Sequence, residues 1–335
     1  MSITRSFPAL FLSAACALIV GIVIVTCLVV VPAWRVDRLI GRLGVGDNSA
    51  RREAADSLAQ FGPRAIRPLV AELSDENTRI WAARALFKIG PQSYPAIQEA
   101  MARDDARLRA GAVFAIAYGR AQFRVDVPWA KPTLIRALRD EDAGVRSLAA
   151  EVLGLMGAEA TDAVPELVPL LKDKDPAARL WAAFALGEMG ATSQQAVPDL
   201  IRTFKVDNAD VRSMVAAALG KIGPPAKDAV PVLIDAIADD DLRVRCMSIS
   251  ALGGIRSHPD LSVPALLAVL TGDDKNIRWR ASYSLGEFGD EAMIAVPALL
   301  QELQADDSDK WAATEALKKI APHELPAEAV IEKGP

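Results

Sequence analysis

Residues 175–190 read DPAARLWAAFALGEMG, and residues 210–223 read DVRSMVAAALGKIG. Both carry an arginine, then small residues, then Leu-Gly and a further Gly. The arginine recurs as Arg146, Arg179, Arg212, Arg245 and Arg278, 33 residues apart, and Leu153, Leu186, Leu219, Leu252 and Leu285 follow it by seven. A period in this range marks a solenoid, whose units bury their apolar faces only against their neighbours.

The phrase extends both ways. Upstream, Arg107 with Phe114, Arg79 with Leu86 and Arg51 with Leu58 keep the seven-residue offset at spacings of 28. Downstream, Lys310 and Leu317 take the two places. Nine units over residues 36–322 follow, each read as two helices. The first opens at a proline (Pro68, Pro95, Pro132, Pro165, Pro198, Pro231, Pro264 or Pro297), which suits a first turn where its missing N–H is not needed. An acidic break follows, such as Asp173 and Asp175 or Asp239 to Asp241, whose carboxylates cap the second helix. The second helix carries the arginine and ends at a glycine such as Gly157, Gly190, Gly223 or Gly289, as left-handed C-caps do.

These residues resemble the HEAT repeat, and more narrowly its short bacterial variety named after phycobilisome lyases. The resemblance covers about nine-tenths of the chain. It implies an all-α fold, an α-α superhelix of about nine stacked helix pairs, with the arginine-bearing helices on the concave side. It also implies that Arg51, Arg79, Arg107, Arg146, Arg179, Arg212, Arg245 and Arg278 form a structural ladder with the aspartates and do no chemistry.

The N-terminus is a different kind of sequence. No charged residue occurs from Ser6 to Trp34, and the apolar run is long enough to cross a hydrocarbon core of roughly 30 Å. A transmembrane helix is therefore expected over residues 7–34, after a tail at 1–6 and before the solenoid at 35–335. A cleaved signal peptide is the competing reading, though its apolar region normally runs only about 7–15 residues. Arg35, Arg38, Arg42, Arg51 and Arg52 follow the span, which favours a single-pass protein with a cytoplasmic solenoid. Against that orientation, a short leading tail and one span commonly export the large domain.

With the arginine at zero and 100° per residue, positions three, four, six, seven and ten of the second helix form its buried face. Positions one, five and nine point away, with position two on the flank. These outer positions are apolar mid-array: Trp81, Leu148, Leu155, Trp181, Phe184, Met214, Met247, Trp279 and Tyr283. Aromatics and methionine adapt to apolar partners, so these nine are the expected contacts for a protein partner. The alternative is that position two packs between repeats. The irregular segment 118–131, with Arg120, Phe123, Arg124 and Trp129, is expected as an insertion loop.

Other chemistries find little footing. The net charge of −5 offers no basic footprint for nucleic acid. Of three cysteines, Cys16 and Cys27 fall in the apolar run and Cys246 stands alone in the repeats. The two histidines are His258 and His323. Iron hydroxylases built from HEAT-like repeats use several His-Glu pairs, whereas this chain has one, His323-Glu324, so no metal or other cofactor is expected. No small-molecule substrate is evident. A non-catalytic, membrane-anchored scaffold is the leading expectation, with phycobilisome-lyase-like chromophore attachment or detachment as its rival.

Overall fold

The structure, a computed structural model, describes residues 31–124, 127–272, 274–304 and 310–326. Among them are eighteen α-helices, nine consecutive pairs, and no strand. The first helices of the pairs are α1 (Val31–Leu43), α3 (Pro63–Ala71), α5 (Tyr94–Ala100), α7 (Ala130–Ala137), α9 (Val164–Leu170), α11 (Val197–Val206), α13 (Val230–Asp235), α15 (Pro259–Leu270) and α17 (Val296–Gln304). The second helices, called B helices below, are α2 (Asn48–Gln60), α4 (Arg79–Ile89), α6 (Ala106–Phe123), α8 (Ala143–Met156), α10 (Pro176–Glu188), α12 (Ala209–Ile222), α14 (Leu242–Ile255), α16 (Lys275–Gly286) and α18 (Lys310–Ile320).

Residues 35–335, expected as one solenoid, divide into two compact units, the first ending at Thr133 and the second beginning at Leu134. The expected tail at 1–6 and span at 7–34 lie outside the described residues as far as residue 30. Val31 to Trp34 form the first turn of α1. Among the described residues no helix is long and apolar enough to cross a membrane.

Six B helices start where a side chain supplies their orphan N–H groups with an acceptor. Asp47, Asp105, Asp142, Asp175, Asn208 and Asp241 accept from backbone N–H groups two or three residues on, at 2.8–3.0 Å. Most B helices stop at a glycine of positive φ, among them Gly62, Gly90, Gly157, Gly190 and Gly223. Prolines take the second position of α5, α9, α11, α13 and α17, as expected. Pro68 and Pro264 instead sit inside α3 and α15, because Pro63 and Pro259 start those helices earlier.

The buried face follows the 100° arithmetic. In α10, Ala182, Ala183, Ala185, Leu186 and Met189 are all buried, and α8, α12 and α14 repeat the pattern. The leucine column from Leu153 to Leu285 is wholly buried. Each such leucine contributes roughly 1.5–3 kcal/mol of apolar burial. In the second unit, successive B helices pack on one another more heavily than on any other element, and the Leu-Gly pairs explain how. A Cβ at Gly154, Gly187, Gly220, Gly253 or Gly286 would lie 2.8–2.9 Å from the Cα of Ala185, Ala218, Ala251, Ser284 or Ala316 in the next B helix. The glycine column is therefore a line of backbone-to-backbone crossings.

The segment at 118–131 departs from the expected loop. Where most B helices end at a glycine, α6 carries Arg120 and continues. It runs on to Phe123 and ends with Arg124 at φ 51°. Residues 125–126 lie outside the described residues. The remaining aromatic side chains are packed: Phe123 stacks on Phe87 at 6.1 Å, and Trp129 lies 6.3 Å from Tyr94.

Candidate functional site

Two sets of side chains were expected to matter, the arginine ladder and the outer face of the B helices. In the second unit each arginine ties two breaks together. Arg146 donates through Nη1 to the Asp140 and Glu141 carbonyls at 2.8 and 3.0 Å, and through Nε and Nη2 to the Asp173 carboxylate at 2.7 and 2.8 Å. Arg179 repeats this, donating to the Asp173 and Lys174 carbonyls and, through Nε and Nη2, to Asp207. Arg212 reaches Asp239 at 2.8 Å and Arg245 reaches Asp274 at 3.3 Å. Arg278 lies 3.5 Å from Glu302.

The pairing shows in the acidity of the carboxyls. The Arg146 guanidinium, against the opposing effect of burial, holds Asp173 below the ordinary aspartate range. At Asp207 burial pushes upward, and the Arg179 guanidinium with the Asn208 N–H outweighs it, so the net shift is downward. Two-pronged, charge-assisted pairs of this kind are geometrically specific.

The first unit is built differently. Arg51 donates to the Gly44 carbonyl at 3.3 Å, and Arg79 lies over the Phe114 ring at 4.9 Å. Arg107 is not on the ladder column. It is exposed, and the buried Arg109 takes the place, donating to the Arg103 carbonyl at 2.8 Å. The reason is the cap: ladder arginines stand four residues after the capping residue, and Asp105 caps α6. The buried partner seven residues on is then Ile116, and Phe114 moves to position five.

The nine expected contact residues do not share one environment. Trp81 is only 8% exposed and belongs to the core of the first unit, so it offers no surface. Leu148, Trp181, Phe184, Met214, Met247 and Trp279 are half-buried. Leu155, at 66%, and Tyr283 are exposed, and so is Trp311. Position one is less open than the helical wheel implies, since Ser147 and Cys246 are buried there.

On α8 and α10 the outer face is built by one gap. Gly154 leaves room that the Phe184 ring fills: a Cβ there would lie 2.7 Å from the ring. Trp181, one turn earlier, meets Phe184 edge-on at 5.4 Å, and the Lys221 ammonium lies 5.8 Å from the same ring. Leu155, the residue after Gly154 on α8, is exposed. Glu151, one turn before it on α8, is half-buried, and burial raises its carboxyl above the ordinary range. Further along, Tyr283 and Trp311 stack at 6.2 Å, with Lys319 over Tyr283.

The charged members of positions five and nine pair between neighbouring repeats, which sequence reading did not show. Asp56 accepts from Arg84 at 2.7 Å and faces Lys88 at 2.8 Å. Lys221 pairs with Glu188, and Lys319 with Glu287 at 2.6 Å. The signal was present as complementary charges one repeat apart.

Among the described residues no group of three or more His, Cys, Asp or Glu side chains could hold a metal ion. His323 and Glu324 lie 3.8 Å apart and both are exposed.

The pattern of the HEAT repeats family matches residues 36–117, 95–168, 131–218, 164–245, 204–273 and 230–318. No curated protein matches. Among solved structures, an engineered protein is 21% identical over 89% of each chain, with a TM-score of 0.56. Kap95 in its complex with Nup1 is 14% identical, with a TM-score of 0.57 over 86% of this chain. The match spans only 45% of that protein. The complex of CpcE and CpcF of phycocyanin lyase from Nostoc sp. PCC7120 is 26% identical over 70% of this chain and 90% of that one. Its TM-score is 0.43, too loose a superposition to carry an argument. The likeness to the first two concerns the fold alone.

Proposed function

This chain belongs to the HEAT repeat family, and from that premise we propose a non-catalytic scaffold that holds a protein partner on the outer face of its B helices, the concave side in that family. One observation carries the reading. The groups that hold the repeats together, the Arg–Asp pairs and the glycine crossings, are separate from Leu155, Tyr283 and Trp311, large apolar side chains left exposed. Covering a large apolar side chain contributes roughly 1.5–3 kcal/mol, so three or four support micromolar binding. That Kap95 is named in a complex with Nup1 is consistent with this use of the fold.

The scaffold we propose includes a single-pass membrane anchor at residues 7–34, and the arginines after that stretch favour the cytoplasmic side for the repeats, while a short leading tail favours export. Reporter fusions at the C-terminus test the sidedness. The scaffold itself is tested by photocrosslinking from position 155 in native membranes, beside the same probe at Lys227 in the turn Pro224–Ala229. A discrete adduct from position 155 that is lost when Trp181 is replaced by alanine is expected. Equal labelling from both positions counts against the reading. Incubation with bilins tests the lyase-like rival: a stable coloured adduct replaces the scaffold by an enzyme.

A further inference from the structure

The outer face of the second unit contains one cavity whose chemistry no other feature uses. It lies between α14, α16 and α18, has a volume of about 520 Å³, and its walls include Trp279, Arg280, Tyr283 and Trp311. Its floor exists because α14 carries two small residues in the outer columns, Ser250 at position five and Gly254 at position nine. The other B helices carry at least one large side chain in those columns, as with Phe184 on α10, Leu155 on α8 and Lys221 beside Ala217 on α12. A volume of this order suits a small molecule of one or two rings.

The cavity also has an electrostatic sense. Glu287 stands on its wall, but Lys319 answers that charge at 2.6 Å. Arg280 is different. Its guanidinium lies 4.3 Å from the centre of the Trp279 ring, and its Nη1 donates to the Ser250 hydroxyl at 3.3 Å. Among the described residues no carboxylate pairs with it, and its Nε is buried without a hydrogen-bond partner. A desolvated guanidinium N–H without an acceptor is costly, and a planar carboxylate is the group whose geometry answers it best. The rings around it offer stacking faces to an apolar plane.

We propose that this cavity binds a small aromatic carboxylate, its ring between the Trp279, Tyr283 and Trp311 side chains and its carboxylate on Arg280. The site shares Tyr283 and Trp311 with the docking face proposed above, but its occupant and its test do not depend on the protein partner. Calorimetric titration of the full-length chain in lipid nanodiscs tests it, with naphthoate, naphthamide and naphthylmethylammonium as probes against an empty-nanodisc blank. Naphthoate is expected to bind about tenfold more tightly than naphthamide, the difference an ionic hydrogen bond supplies. Arg280→Gln brings naphthoate down to the amide's affinity. Arg280→Lys, which keeps the charge and loses the fork, falls between. Trp311→Ala weakens acid and amide alike, whereas Trp181→Ala changes neither. Naphthamide binding as tightly as naphthoate, the ammonium binding more tightly, no naphthoate binding, or an Arg280→Gln variant that melts normally with unchanged affinity each overturns the proposal.

Discussion

Removing Arg179 tests how the second unit is held. Its partner Asp207 has a side chain only 6% exposed, and the same guanidinium serves the Asp173 and Lys174 carbonyls. Arg179→Ala therefore leaves a nearly buried carboxylate with the Asn208 N–H as its remaining hydrogen-bond donor, and strips two carbonyls of a side-chain donor. Breaking a buried pair costs about 3–5 kcal/mol, and the partial exposure of Arg179 puts this case at the lower end, about 3 kcal/mol. For a unit of about 200 residues each kcal/mol moves the melting temperature by roughly 2–4 °C, so a fall of about 6–12 °C is expected. The control is Arg243, which pairs with Asp210 of the preceding repeat, with both side chains 61% exposed. Its removal should leave the melting temperature nearly unchanged, because solvent screens an exposed pair. The assay is thermal unfolding by circular dichroism of both variants, with Asp207→Asn and the double variant to close a thermodynamic cycle. Equal shifts for Arg179→Ala and Arg243→Ala, or a coupling energy near zero, would refute the reasoning.

Four further expectations concern the same framework. Asp56, Asp173 and Asp207 all have carboxyl pKa values held below the ordinary range, so their contribution is complete above the ordinary aspartate range and is lost as pH falls through their depressed values. Melting temperatures should therefore drop on acidification below about pH 4. Glu151 runs oppositely because burial raises it: Glu151→Gln should raise the melting temperature at pH 7, by a margin that narrows as pH falls through the raised value. Gly187→Ala places a methyl 2.8 Å from the Ala218 Cα. Overpacking of about 1–3 kcal/mol outweighs a helix-propensity gain of up to about 1, so chemical denaturation should show net destabilisation. Arg256 sits at φ 48° where its neighbours use glycine. Arg256→Gly should then be neutral to about 1 kcal/mol stabilising in the same measurement, as left-handed strain is relieved against a more flexible unfolded chain.

The repeat was legible because each unit solves the same problem with the same residues: a capping acid, an arginine four residues later, a leucine seven beyond that, and a glycine to stop. Where one device is missing, spacing alone misleads. Arg107 preserves a spacing of 28 from Arg79, but the cap at Asp105 assigns the ladder to Arg109. Arg120 stands where most B helices have their terminal glycine, and α6 continues to Phe123 within the apparent loop, whereas α14 stops at Arg256 in the same place. The outer face was less readable because exposure depends on what the next helix presents. Phe184 is half-buried since Gly154 leaves it room, and Trp81 is enclosed although it holds the same position as Trp181. The cavity beside Arg280 had a faint signal: Ser250 and Gly254 make α14 the one B helix with small residues in both outer columns at once.

The most direct test of a docking face that is separate from the framework is one substitution read two ways. Leu155→Asp, in the full chain and native membranes, should abolish the photocrosslinked adduct from a probe at position 148 while shifting the melting temperature by less than about 2 °C, as surface changes do. An undiminished adduct, or a melting temperature lowered as far as by Arg179→Ala, contradicts the account.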